Sequence, residues 1–297
     1  LISPADGVLL LDKPVGLSSN AALQRVRRLC GGIKAGHTGS LDPLASGMLP
    51  ICLGEATKLA GEMLALRKCY AFGIQLGERS QTGDAEGAIV ERRPVPALSR
   101  DTVTAALNGF LGEQQQVPPM YSALKRHGEP LYKLARQGLT VEREARAVTI
   151  DALELLDLQA ERLELRMLCS KGTYVRVLAE DLARALGTCG RLYQLRREYV
   201  EPFVAEPMIG LVELQALTAA GCKWPLLAPD RALTHLQPLR LDAAAVRALG
   251  FGQSVCGLTD HAARWRLYDS DQRFLGLGES DGAHTLRVRR LFAAAQH

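Results

Sequence analysis

Asp42 is the residue in this chain best placed by its neighbours to do chemistry. It lies in the run Gly36-His37-Thr38-Gly39-Ser40-Leu41-Asp42-Pro43-Leu44-Ala45-Ser46-Gly47, crowded with glycine, proline and small hydroxyl residues. A carboxyl between apolar neighbours loses water when such a segment packs. Desolvation then raises its pKa unless a cation holds it ionised. A group of that kind can act as a nucleophile or a base. The same residues also spell a helix start, with Asp42 as N-cap and Pro43 at the first helical position. Both readings are open on spacing alone.

Three other clusters carry reactive or polar groups. Thr82-Gly83-Asp84-Ala85-Glu86-Gly87 is a turn with two acids; it lacks the flanking ligands of a calcium loop, and a solvated turn is the expectation. Ser170-Lys171-Gly172-Thr173 leads into a helical pattern and leaves Tyr174 and Arg176 near its first turn, where free backbone N–H groups suit an anion. The segment from Gln116 to His127, QVPPMYSALKRH, mixes basic and aromatic side chains, which suits RNA as well as an ordinary surface loop.

Regular elements must position these groups. Val8 to Leu11 reads as a buried strand ending at Asp12-Lys13-Pro14. Ser18-Ser19-Asn20 offers caps for a helix whose apolar face is Leu23, Val26 and Leu29. Tyr70, Phe72, Ile74 and Leu76 alternate as in a strand, and so do Leu163, Leu165, Met167 and Cys169. The helix after Thr173 carries Leu178, Leu182, Ala185 and Leu186 and stops at Gly187. A shorter helical stretch is predicted from Leu131 to Gln137. Composition shifts near Trp224-Pro225, after which a helix over 241–249 and short strands at 265–268 and 274–277 precede the basic end Arg287-Val288-Arg289-Arg290.

Composition bounds the rest. The chain has 297 residues, 47% apolar and 23% charged, with a net charge of +4, as in an ordinary globular protein that permits a nucleic-acid partner without demanding one. No apolar run is long enough to span a membrane, and no signal peptide is visible. The chain opens on Leu1, so some preceding sequence is expected. Seven cysteines, none spaced for a metal or paired as CxxC, imply buried thiols in a reducing, cytoplasmic setting.

Five motifs in order resemble the bacterial family of tRNA pseudouridine-55 synthases (TruB): GVLLLDKPVG, GHTGSLDPLASGMLP continuing into LPICLGEATK, VPPMYSALK, KGTYVR, and the step Leu195-Arg196-Arg197. FLGLGE, at 274–279, resembles part of a PUA module. The likeness runs nearly end to end. It implies that Asp42 is a nucleophile, kept charged by Arg176, and that Tyr70 stacks on the target uracil and handles protons. It further implies that Tyr174 is a second aromatic of the site, that Leu195 is an apolar wall, and that His37 fills the space left by an extruded base. Asp84 would be an acid near the extruded nucleotides. Lys13, Lys125 and Tyr121-Ser122-Ala123 would be RNA-binding or site-framing positions. Neither metal nor cofactor is implied, because the reaction is an isomerisation.

By the same resemblance the fold is a mixed α+β pseudouridine synthase domain with a largely antiparallel central sheet (residues 1–235, with an RNA-clasping insertion at about 120–143), followed by a small β-rich PUA-like pseudobarrel (236–297). The implied partner is tRNA, held at the T stem-loop and acceptor stem by a cytoplasmic monomer with no obligate protein partner and no membrane. Two alternatives compete: a non-catalytic tRNA-binding or tRNA-folding module on the same scaffold, and a guide-RNA-dependent synthase.

Overall fold

The computed structural model describes residues 6–126, 128–281 and 284–292. The chain begins with strand β1 (Gly7–Lys13), buried along nearly its whole length, and helix α1 (Ser19–Leu29). The Ser18 hydroxyl accepts a hydrogen bond from Ala21 N at 3.1 Å, satisfying one of the free donors at the helix start. Strands β2 (Ala35–His37) and β3 (Ser46–Leu53) flank the segment that carries Asp42.

No helix follows Asp42. Ala45 N donates to the Asp42 carbonyl at 3.0 Å in a single turn, and the chain then enters β3. The N-cap reading therefore fails. Gly47, at φ +97°, lies against the backbone of Arg197, and that close approach commits Ser46 and Gly47 to the sheet rather than to a second helical turn.

Next come α2 (Ala60–Leu64), β4 (Lys68–Leu76), β5 (Glu78–Ser80), β6 (Ile89–Arg92), α3 (Arg100–Asn108) and β7 (Gly112–Gln116). Then follow β8 (Lys125–Arg126), β9 (Glu129–Pro130) and α4 (Leu131–Arg136), and Gly138 at φ +76° follows that helix. The long strands β10 (Arg146–Gln159) and β11 (Arg162–Cys169) lead to α5 (Val175–Ala185), β12 (Gly190–Val200), β13 (Ile209–Gly210) and α6 (Leu211–Ala219).

The main sheet runs β13-β1-β3-β12-β4-β11-β10-β7, with β2 also paired to β3. Its pairings are antiparallel except β1/β13 and β12/β3. One edge of β3 is shared: β12 pairs with it at Ser46 and Gly47, and β2 pairs with it from Ile51 to Leu53. The Asp42 segment leaves β2 at one end of that edge and enters β3 beside β12 at the other, and so stands over the centre of the sheet.

Alternation explains which face is covered. Tyr70, Phe72, Ile74 and Leu76 of β4 pack with Leu163, Leu165 and Met167 of β11 against Leu178, Leu182 and Leu186 of the α5 segment. Removing a side chain such as Phe72 from water contributes about 1.5–3 kcal/mol.

A second sheet, ordered β14-β16-β17-β18-β15, forms a half-barrel from β14 (Gln237–Arg240), β15 (Val255–Cys256), β16 (Ala263–Tyr268), β17 (Phe274–Ser280) and β18 (Thr285–Leu291). Helix α7 (Ala243–Gly250), capped by Asp242, packs against it. Leu277 and Phe292 join a core cluster with Val8, Met48 and Met63, which fastens this unit to the main sheet. Five cysteines are buried, but Cys222 and Cys256 are exposed, against the expectation of uniformly buried thiols. No helix among the described residues is long and apolar enough to cross a membrane.

Candidate active site

A cleft opens over the main sheet around Asp42. One side, about 740 Å³, is lined by His37, Asp84, Glu86, Tyr121, Tyr132 and Arg136; the other, about 580 Å³, by Lys68, Tyr70, Tyr174, Leu195 and Arg197. Asp42 and Arg176 border both. Each volume is within the range of sites that enclose a small ligand.

Arg176 owes its place to α5. It falls in the first turn of a helix whose apolar stripe is Val175, Leu178, Ala179 and Leu182, and its side chain is only 6% exposed. Asp42 Oδ2 is 3.0 Å from its Nη2, and Asp84 Oδ2 is 3.7 Å from its Nε. Two further bonds fix the guanidinium: Nη1 donates to Thr82 O at 2.9 Å, and Nη2 donates to Tyr121 O at 2.7 Å. The second of these carbonyls belongs to the loop before β8, so that loop touches the ion pair directly.

Asp42 itself is 42% exposed at the side chain and faces the cleft. Its carboxyl is pushed above the ordinary aspartate value, first by desolvation; Arg176 pulls it back and the like charge of Asp84 adds to the rise. Desolvation thus outweighs the stabilisation expected from Arg176. A desolvated carboxylate is poorly hydrated, and so is better able to share its electrons with an electrophile.

Asp84 is not part of a solvated turn. It is 3% exposed, pairs with Arg176, and accepts hydrogen bonds from Thr82 Oγ1 and from Glu86 N at 3.0 Å. Burial follows from the hairpin of β5 and β6 folding onto β12, where Leu192 N donates to Gly83 O at 3.0 Å.

Tyr70 lies opposite Arg197 in the register of β4 and β12 and is 8% exposed. Burial raises its phenol, and the Arg197 guanidinium opposes that rise. Tyr174 precedes α5, where its backbone N–H donates to Gln116 Oε1 at 2.7 Å. That donor is satisfied internally, which leaves less for an anion at this helix start. Leu195 follows β12 into the apolar side of the cleft.

His37 is half-buried at the end of β2; its ring is held below the ordinary histidine value by desolvation and by Arg197, and its buried Nδ1 has no hydrogen-bond partner among the described residues. Lys13 is fully buried. Its Nζ donates to Pro14 O at 2.9 Å and Leu17 O at 2.6 Å, which makes it a framing group rather than a surface contact. Burial lowers its pKa to about 8, with Asp42 pulling the other way. Lys125 is in β8, and its side chain lies outside the described residues.

Sequence reasoning did not single out Lys68 or Arg197 as members of the cleft. Lys68 is 6% exposed, caps the carbonyl of Leu64 at 2.8 Å and that of Leu66, and burial lowers its pKa to about 8. Both cations share a strand face with a recognised residue two positions away, Tyr70 and Leu195 respectively, and that spacing was the available signal. Among the described residues no His, Cys, Asp and Glu side chains are grouped to hold a metal ion.

The mixed sheet, the half-barrel and a carboxylate facing a buried arginine define the class of pseudouridine synthases. In fold the chain is similar to the synthase of a Cbf5-Nop10-Gar1 complex, with a TM-score of 0.74 at 24% identity over 94% of this chain and 79% of that one. Residues 27–175 match the TruB family pseudouridylate synthase N-terminal domain, and residues 238–292 match the C-terminal domain of pseudouridine synthase II TruB. Relatives described as tRNA pseudouridine synthase B are 50% identical in Chromohalobacter salexigens, over 99% of this chain and 96% of theirs, and 50% identical in Aromatoleum aromaticum, over 96% and 92%. The chain belongs to the TruB family of pseudouridylate synthases.

Proposed function

We propose that this chain isomerises uridine 55 in the T loop of tRNA to pseudouridine, with Asp42 as the nucleophile. The contact of 3.0 Å between Asp42 and Arg176, at the floor of a cleft large enough for a nucleotide, carries this reading. The reaction breaks N1–C1′, turns the base and joins C5 to C1′. A proton leaves C5 and one is gained at N1, so atoms balance without any donor group. Asp42 attacks the sugar or the uracil ring, or stabilises a glycal route, Tyr70 stacks on the uracil and exchanges a proton through its hydroxyl, and Leu195 walls the apolar side. A T-loop uridine must first leave its stack, at a cost of a few kcal/mol, and His37 fills the vacated space.

Two units divide the work in this reading. Residues 1–235 perform catalysis, with the insertion at about 120–143 closing on the T arm, and residues 236–297 hold the acceptor stem through phosphates. In support, Lys58, Arg287, Arg289 and Arg290 line a groove of about 750 Å³; the first three also pair with Glu55, Asp281 and Glu279 at its margins. Cations so placed grip a phosphate backbone without reading its sequence. The enzyme acts as a monomer, needing no other protein and no guide RNA.

The test uses the purified chain and an unmodified tRNA transcript. Pseudouridine is expected at position 55 alone, with no added component. Asp42→Asn is expected to abolish product while tRNA binding stays within about threefold. Normal turnover by that variant removes Asp42 from its role, and product formed only with an added guide RNA favours the guide-dependent alternative.

A further inference from the structure

We infer that Arg197 is a positioning residue of the reaction, holding the Asp42 loop and the Tyr70 hydroxyl in one fixed relation; this rests on the function proposed above. Arg197 is among the largest fully buried side chains of the protein, at 1% exposure. Its Nε donates to Met48 O at 2.7 Å and its Nη2 to Gly39 O at 3.0 Å. Those two carbonyls stand on either side of Asp42, so one guanidinium clasps both ends of the loop that presents the carboxylate. A planar fork with several donors suits this task, whereas an ammonium would act as a point charge.

The same residue reaches the opposite wall. Arg197 is the cross-strand partner of Tyr70, and both side chains line the cleft. Among the described residues no carboxylate is within ion-pair distance of Arg197. A buried cation without a carboxylate partner favours any negative charge that develops beside it. The phenol oxygen of Tyr70 is so placed: Arg197 draws its pKa down, against the burial that raises it. The other groups acting on this phenol are Cys169 of β11 and Asp42 of the loop, and Lys68 precedes it on its own strand.

Gly47 completes the clasp. A Cβ built there meets Arg197 O at 2.1 Å, so loop and strand approach as closely as backbone allows. Displacement of reacting groups by about 1 Å costs about a hundredfold in rate. Loosening this clasp should therefore slow chemistry while leaving RNA binding, which involves other surfaces, in place.

The experiment compares Arg197→Lys and Arg197→Gln, each alone and combined with Tyr70→Phe. Single-turnover rate, tRNA Kd and melting temperature are measured for all of them and for the wild type. Both single variants are expected to melt as one cooperative unit, bind tRNA within about threefold of wild type and turn over about a hundredfold more slowly. If Arg197 acts partly through Tyr70, its loss costs less in the Tyr70→Phe background than alone. Effects that simply multiply across the two positions would overturn the coupling. A rate within threefold of wild type would overturn the inference as a whole. Loss of fold in both variants would do the same, by making Arg197 a residue of the core alone. An inactive wild type would overturn the proposed function itself, and with it this role of Arg197, and is told apart from the outcomes above by the absence of product in every sample.

Discussion

The Asp42 carboxylate meets the Arg176 guanidinium at 3.0 Å, but Arg176 is shared, with Asp84 at 3.7 Å from its Nε. Asp42 therefore shares its nearest cation with a second acid. Like charges oppose each other's ionisation, and this adds to the desolvation that lifts Asp42.

This sharing fixes the sign of two pH effects. The acid limb of the rate profile is expected above the ordinary aspartate value, since the nucleophile must be ionised. Asp84→Asn removes a like charge and moves the limb to lower pH. Arg176→Lys weakens the attraction and moves it to higher pH. Single-turnover rates across the acidic range check both; shifts of the same sign would refute the arrangement of charges.

Asp42 should also tax stability. Its folded carboxyl is raised above the unfolded value, so its stabilising contribution is complete at low pH and lost as pH rises through the folded value. Asp42→Asn, which mimics the protonated form, is expected to melt above wild type at pH 7. The gap should close on acidification. A lower melting temperature at pH 7 would mean that attraction to Arg176 outweighs desolvation.

Gly47→Ala tests the loop from its own side. The substitution places a methyl 2.1 Å from Arg197 O at a backbone φ of +97°. Strain in that region of φ alone costs about 1–3 kcal/mol, and the clash adds to it. Urea unfolding should therefore show a loss of at least about 2 kcal/mol, and a neutral substitution would contradict the close packing.

The groove beside the half-barrel makes a prediction about salt. Arg290→Ala is expected to weaken tRNA binding and to reduce the slope of log affinity against log salt by about 1, the signature of one lost phosphate contact. Catalysis at saturating tRNA should be unchanged. An unaltered slope would show that Arg290 does not touch the backbone.

Much of the frame could be read from the residues. The alternation of Tyr70, Phe72, Ile74 and Leu76 gave β4, Ser18 marked the start of α1, and the strand, turn and helix around Ser170 placed Arg176 in the first turn of α5. Strand β3 was harder to see because it is buried on both faces and carries Gly47 and Pro50, so it shows neither alternation nor clean strand composition. Strand β12 hides its period behind two register shifts, at Leu192/Gln194 and Arg197/Tyr199. Asp84 resembled a solvated acid because the cation that buries it comes from a distant helix. No local pattern could report that contact.

Asp42 and Arg176 are separated by the whole run from β3 to β11, and only the finished sheet brings them together. A chain emerging from the ribosome displays its acid long before its arginine exists, and domains fold as units during synthesis. Until the later strands and α5 dock, that acid has no counter-ion and no walls. The nascent polypeptide is thus chemically silent toward the RNA around it, and reactivity arrives together with the completed architecture.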